Sequence, residues 1–242
     1  VTLKIRLVPS PNHDDRKQDA PLRYVVLHYT GMPAGAWLKA ALDPTVKLSA
    51  HYMIDEDGGT VRLVDESRRA WHAGASFWRG ITDMNSASIG IELVNPGHEN
   101  GYRPFPDKQI AALTKLLQDI TSRLNIDPRF GILGHSDIAP GRKKDPGELF
   151  PWRTLARNGF GLWPDVQDET SGSEASEFCE EEEVAEILES IGYFYPRVET
   201  LVTTAKDVLL AFQRRYFPEN LNGLPDAGTI ARLKALSSLQ SK

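Results

Sequence analysis

The chain has 242 residues, 40 % hydrophobic and 25 % charged, with a formal net charge of −5. That length asks for one full domain plus a smaller one, and the balance is that of a globular protein rather than a disordered or fibrous one. A single cysteine, Cys179, excludes an intramolecular disulfide and a thiolate-rich metal site, no apolar run approaches the ~20 residues that cross a bilayer, and the charge distribution excludes a strongly basic nucleic-acid surface.

The opening residues VTLKIRLVPSPNHDDR lack the long apolar core of a secretory signal. YVVLHY, Tyr24–Tyr29, predicts a short strand. Residues 50–54 and 60–64 predict two strands joined by a Gly-containing hairpin turn, DEDGG. In SIGIEL, Ser88–Leu93, the residues Ile89, Ile91 and Leu93 alternate with Ser88, Gly90 and Glu92, so the two sets point to opposite faces of a strand. The spacing of Ile110, Leu113, Leu117, Ile120 and Leu124 predicts one buried stripe on a helix over Asp107–Leu124, bounded by Pro106 and Asn125. Residues 130–133 form another brief apolar run. Strands mixed with helices indicate an α/β unit over residues 1–163, with a mixed sheet at its centre.

Residues 164–200 hold 12 acidic residues and one basic residue, Arg197. Within them, residues 164–177 are polar and poor in large apolar side chains, the composition of a linker. Residues 178–242 predict a small domain of three helices, over 180–191 with Gly192 as its stop, 203–216, and 225–236.

Three positions draw attention as metal ligands. His28 lies near the end of one hydrophobic strand, His135 directly follows another (GILGH), and Asp145 sits in the turn-rich loop GRKKDPG. Catalytic zinc commonly takes three protein ligands and keeps a fourth position for water. Spacing alone leaves open that these are hydrogen-bonded histidines and a turn aspartate, because no short metal signature such as HExxH is present. Glu92 has small neighbours on its face and is suited to project into a cleft as a proton carrier; an edge-strand glutamate facing solvent is the alternative. Lys143 or Lys144 could stabilise an oxyanion, or both could be solvated; Lys143 is preferred because alternate loop positions share a direction with Asp145.

Taken together, HYTG (28–31), SAHYMID (49–55), AWHAG (70–74), NSASIGIEL (85–93), GHSDIAPGRKKDPG (134–147) and FPW (150–152) resemble the zinc-dependent N-acetylmuramoyl-L-alanine amidases, which share the fold of the peptidoglycan recognition proteins. The resemblance spans essentially residues 8–163, with the motifs in the family's order. The resemblance implies a mixed central sheet flanked by helices and one zinc ion held by His28, His135 and Asp145. It also implies Glu92 as the catalytic carboxylate and Lys143 as the transition-state stabiliser. It places Trp71 and His72 along the substrate cleft and His51 near the sheet core. Asn85 either bonds the stem peptide or shapes its own loop, and His13 and His98 read as surface residues. In the C-terminal unit, DVLLAFQRRY (207–216) with GLPDAGTI (223–230) resembles the three-helix peptidoglycan-binding module, with Val208 and Phe212 as core; the acidic first helix departs from a surface suited to an anionic wall.

The function implied is hydrolysis of the amide between N-acetylmuramic acid, or its anhydro form, and L-alanine of the stem peptide, in peptidoglycan or its fragments. A non-catalytic peptidoglycan sensor and a zinc peptidase acting within the stem peptide are the rival readings. A wall-binding module favours the bacterial cell envelope, the periplasm, while relatives that act in the cytoplasm share the catalytic motifs.

Overall fold

Runs such as YVVLHY and SIGIEL carry little polar surface on either face, so they are stable only as strands covered on both sides. The structure, a computed structural model, describes residues 4–17, 20–166, 181–194 and 203–240. Its strands are β1 (Ile5–Leu7), β2 (His13–Asp15), β3 (Tyr24–Tyr29), β4 (Tyr52–Ile54), β5 (Thr60–Arg62), β6 (Arg68–Ala70), β7 (Ser88–Leu93) and β8 (Ile132–Gly134). The main sheet has the order β1-β5-β4-β7-β3-β8. All its pairings are parallel except β4 with β5, the expected hairpin. β2 and β6 form a separate antiparallel pair. β7 is therefore an interior strand, and the edge-strand alternative for Glu92 falls away.

The helices are α1 (Ala34–Leu42), α2 (Met84–Ala87), α3 (Asp107–Leu124), α4 (His135–Ile138), α5 (Trp152–Arg157), α6 (Glu181–Ile191), α7 (Ala205–Tyr216) and α8 (Ala227–Gln240). α3 buries the predicted stripe against one face of the sheet: Ile110, Leu113, Leu117 and Ile120 share a cluster with Val25, Leu27, Ile89, Ile91 and Leu93. Gln109 Nε2 seats the start of α3 by donating to the carbonyls of Ile54 (2.9 Å) and Val94 (3.0 Å). Asn125, at φ 51°, ends the helix in the left-handed conformation that asparagine tolerates.

The opposite face meets the C-terminal helices, expected as a small, closely packed bundle. Val184, Leu188, Val208, Phe212 and Leu233 lie in one buried cluster with Tyr24 and Val26 of β3 and Leu133 of β8. About sixty residues bury too little apolar surface to be secure alone, and the sheet has an apolar face that needs a cover. One shared core meets both needs. Polar contacts cross the junction too: Arg79 donates from Nε (3.1 Å) and Nη2 (3.0 Å) to the Ile191 carbonyl at the end of α6. Of the expected linker, residues 164–166 have no regular structure; the rest of it, with Cys179, lies outside the described residues. No helix among the described residues is long and apolar enough to cross a membrane.

Candidate metal centre and active site

Three parallel strands bring the chemistry into one row. β3 pairs with β7 so that His28 stands opposite Glu92. β3 pairs with β8 so that Leu27 stands opposite Gly134, and the same register continued by one residue sets His135 beside His28. The row lies at the carboxyl ends of the strands, where open α/β sheets present their ligand sites. His135 is the first residue of α4, and the chain is turned there by the Asp137 carboxylate, which accepts the Gly134 N–H at 2.8 Å. The following loop folds back on α4: Ala139 O accepts from the Lys143 N–H (3.0 Å), and Asp145 O accepts from the Ser136 N–H (2.9 Å). This return delivers Asp145 to the two histidines.

His28 Nδ1 lies 2.9 Å from His135 Nδ1, and Asp145 Oδ2 lies 3.0 Å from both. All three side chains are buried. The outer partners settle where the protons are. His135 Nε2 is 3.0 Å from the Ala73 carbonyl, which can only accept. That nitrogen therefore carries the hydrogen, and in the neutral ring Nδ1 offers a lone pair. His28 is neutral at ordinary pH, because burial and then the neighbouring His135 pull its pKa down to about 4. Burial alone would raise the Asp145 pKa, but the two imidazoles outweigh it and hold the carboxyl well below its usual range. Two imidazole nitrogens and a carboxylate oxygen thus converge on one point, and these three residues form a group able to hold a metal ion.

Glu92 is also buried, and its Oε2 has no hydrogen-bond partner among the described residues. Burial pushes its pKa well up, the Asp145 carboxylate adds to the rise, and the Lys143 ammonium opposes it. Lys143 is half-buried and its charge acts on both His28 and Glu92, whereas Lys144 is exposed and acts on neither.

Two of the tentative substrate contacts, His72 and Asn85, are buried. Asn85 Oδ1 accepts the backbone N–H groups of His72 (3.0 Å) and Ala73 (2.7 Å), so it shapes its loop, the other of the two roles anticipated for it. His72 is 6 % exposed, and its Nδ1 lies 3.0 Å from His28 Nε2. Its contact is with a candidate metal ligand. The ring needs Gly90 beneath it, since a Cβ at position 90 would fall inside van der Waals contact of the imidazole. Trp71 keeps a half-buried side chain and is tied through its backbone to Ser49. His51 is fully buried, with Nδ1 accepting from the Gly90 N–H at 2.9 Å. His98, read as a surface residue, stacks on Tyr102 with ring centroids 4.3 Å apart and bonds Tyr29 and Glu148. His13 is partly covered and accepts from Arg68 Nε. Sequence reasoning passed over Arg142, whose Nη2 donates to the carbonyls of Ala73 and Ala75 at 2.6 Å each and so fixes the loop beside His135. Its only signal was a place in a basic run, which reads as solvated.

The sequence profile of the N-acetylmuramoyl-L-alanine amidase family matches residues 18–148. N-acetylmuramoyl-L-alanine amidase AmiD of Escherichia coli is 37 % identical over 230 residues, 89 % of this chain and 82 % of that protein. The 1,6-anhydro-N-acetylmuramyl-L-alanine amidase AmpD of E. coli is 36 % identical over 166 residues, 61 % of this chain and 87 % of that protein. Among solved structures, the complex of E. coli AmiD with anhydro-N-acetylmuramic acid-L-Ala-D-gamma-Glu-L-Lys aligns with a TM-score of 0.79 at 36 % identity, covering 93 % of this chain and 92 % of that one. AmpDh3 of Pseudomonas aeruginosa in complex with anhydromuramic pentapeptide aligns with a TM-score of 0.80 at 32 % identity, covering 96 % and 98 %.

Proposed function

The chain belongs to the N-acetylmuramoyl-L-alanine amidase family, and from that premise we propose that His28, His135 and Asp145 hold one zinc ion and that Glu92 and Lys143 carry the hydrolysis. The enzyme cleaves the amide between N-acetylmuramic acid, or its anhydro form, and L-alanine of the stem peptide. The observation that carries the metal reading is the meeting of two imidazole nitrogens and one carboxylate oxygen at 2.9–3.0 Å. Those separations are close to the roughly 3.3 Å expected between ligand atoms of a tetrahedral zinc site with ~2 Å bonds, and two imidazoles with a carboxylate are ordinary zinc donors.

When bound there, zinc supplies a Lewis acid that activates water and polarises the amide carbonyl. Glu92 takes a proton from the attacking water on a carboxylate oxygen and returns it to the departing L-alanine nitrogen. A carboxyl with a raised pKa suits both halves of that exchange, because it holds the proton long enough to deliver it. The Lys143 ammonium faces the same space and stabilises the oxyanion that forms as the carbonyl is attacked. His72 orients His28 from behind: with Nδ1 of His28 turned to the ion, its Nε2–H donates to His72 Nδ1. Trp71 contributes a wall to the substrate cleft. Peptidoglycan is an envelope polymer, and we place the reaction in the bacterial cell envelope.

The test is mass spectrometry of digests of defined muropeptides, run with and without chelator, together with metal analysis of the protein. Free intact stem peptide that disappears on chelation supports the reading. A shortened stem peptide would indicate a peptidase, and binding without any product a sensor. Within the site, Glu92→Ala should keep zinc and lose turnover by orders of magnitude, whereas Asp145→Ala should also lose metal. Near-normal cleavage by Glu92→Ala would remove it from the mechanism.

A further inference from the structure

The loop that carries His135, Lys143 and Asp145 is gripped from outside the catalytic unit. Asp137, two residues past His135, is buried, and both its oxygens are engaged by C-terminal residues, one on α7 and one just past the end of α6. Arg215 Nη1 of α7 donates to Asp137 Oδ2 at 2.5 Å, and the Tyr193 hydroxyl donates to Oδ1 at 2.7 Å. The same Oδ2 accepts the Gly134 N–H that sets the start of α4. Arg215 is itself locked in place. Its Nη2 donates to the Ile132 carbonyl of β8 at 3.0 Å, and its guanidinium lies over the Trp152 ring, 4.2 Å from the centroid. Farther along the loop, Thr203 Oγ1 donates to the Pro140 carbonyl at 3.1 Å, and Gly141 packs on Asp207 so closely that a Cβ would come within 2.9 Å of its Cγ. Three residues beyond Asp145, Glu148 is met by Arg214 Nε at 3.6 Å.

We propose that α7 clamps the metal loop through Arg214 and Arg215, and that Arg215 is a positioning residue that sets His135 through Asp137. The inference rests on the reading of His28, His135 and Asp145 as metal ligands. A buried ion pair adds little net stability over apolar residues of the same shape, but it fixes direction. Direction is what a four-residue helix such as α4 cannot supply alone, since its terminal backbone groups outnumber its internal bonds. A hydrophobic contact in place of the Arg215–Asp137 pair would hold the two units together equally well and leave α4 free to rotate. The C-terminal helices are on this view part of the metal centre, and not a detachable accessory.

The experiment uses the full chain loaded with zinc, and measures its transfer to a chromophoric chelator alongside kcat, KM and Tm. Arg215→Met should release zinc about 10-fold faster and lower kcat by a similar factor, with KM within about two-fold, at temperatures well below its Tm; tuning groups behind metal ligands commonly have effects of 10–100-fold. Arg215→Lys should recover part of both losses, because it keeps the charge and loses the fork. A folded Arg215→Met with a lowered Tm but wild-type zinc release and kcat would overturn the proposal, since it would show a structural contact only. Should Arg215→Met not fold, Tyr193→Phe removes one bond to Asp137 and keeps the ring. It should release zinc about two- to five-fold faster, and unchanged release there overturns the clamp. Wild-type protein that takes up no zinc would overturn the metal reading, and this inference with it, while wild-type uptake with equal retention by Arg215→Met overturns the inference alone.

Discussion

His28 and Glu92 stand directly opposite each other in the parallel pairing of β3 with β7. Neighbours in register project from the same face of a sheet, so a candidate metal ligand and the candidate proton carrier are spaced by backbone hydrogen bonds in the sheet interior. Only Asp145 and Lys143 come from a loop. The rigid half of the site is built into strands, and the adjustable half into the segment between α4 and α5.

Lys143 should set the acid limb of the pH profile. To act as a base Glu92 must be ionised, and its pKa is raised by burial, raised further by Asp145 and lowered by Lys143. Removing the ammonium removes the lowering influence. Lys143→Met should therefore move the acid limb of kcat to higher pH, besides reducing kcat by about 10²–10³ as expected for loss of an oxyanion donor. Lys143→Arg should leave the limb in place. A limb that stays put or moves to lower pH in Lys143→Met would show that the charge does not act on Glu92.

Glu92 should cost the metal-free protein stability at neutral pH. A carboxyl whose pKa is raised in the folded state contributes stability that is present below its unfolded pKa and is lost as pH rises through the folded pKa. Glu92→Gln removes that pH-dependent loss. In apo protein its Tm should exceed that of wild type near pH 8, and the gain should vanish near pH 4, where the carboxyl is protonated in both states. Each 1 kcal/mol recovered is worth roughly 2–4 °C in a chain of this size. Thermal scans at the two pH values check it, and an equal difference at both would mean that ionisation is not the cause.

Much of this was visible in the chain itself, for identifiable reasons. The strand runs ending in LHY, IEL and LGH announced three polar groups at the ends of apolar segments, and the stripe on α3 announced the face beneath them. Strand order was not visible, because in-register parallel pairing is a long-range property that no local pattern encodes. The same limit hid the fate of Arg215. It stands beside Arg214 in the last turn of a helix, where basic residues ordinarily complement the dipole in solvent, and only the tertiary fold brings Asp137 to it. The inward contacts of His72 and Asn85 were hidden for a related reason. Asn85 fits a substrate contact by residue type, but its Oδ1 serves the loop, and His72 meets His28 through Nδ1.

Asn85 offers a clean separation of those two roles. Its Oδ1 takes two buried N–H groups, and leaving such donors unsatisfied costs about 1–3 kcal/mol each. Asn85→Ala should lower Tm by roughly 5 °C or more while KM for a muropeptide, measured well below that Tm, changes little. A large rise in KM with an unaltered Tm would restore Asn85 to the substrate.

Gly90 packs tightly against His72 behind the site, and this contact yields a prediction with its own control. A methyl group at position 90 has no room, because it points into the imidazole that backs His28. Overpacking of this kind costs about 1–3 kcal/mol, so Gly90→Ala should lower Tm and, by displacing His72, also weaken zinc retention. In a His72→Ala background the obstacle is gone and the added methyl enters space the ring has left. Gly90→Ala should then cost nothing, or stabilise, giving a coupling energy well above the few tenths of a kcal/mol seen for independent sites. The four proteins of this cycle, compared by thermal unfolding and by zinc release, decide it. If Gly90→Ala costs as much without the His72 ring as with it, the glycine is required by strand pairing and not by the imidazole, and His72 loses its place as the support of His28.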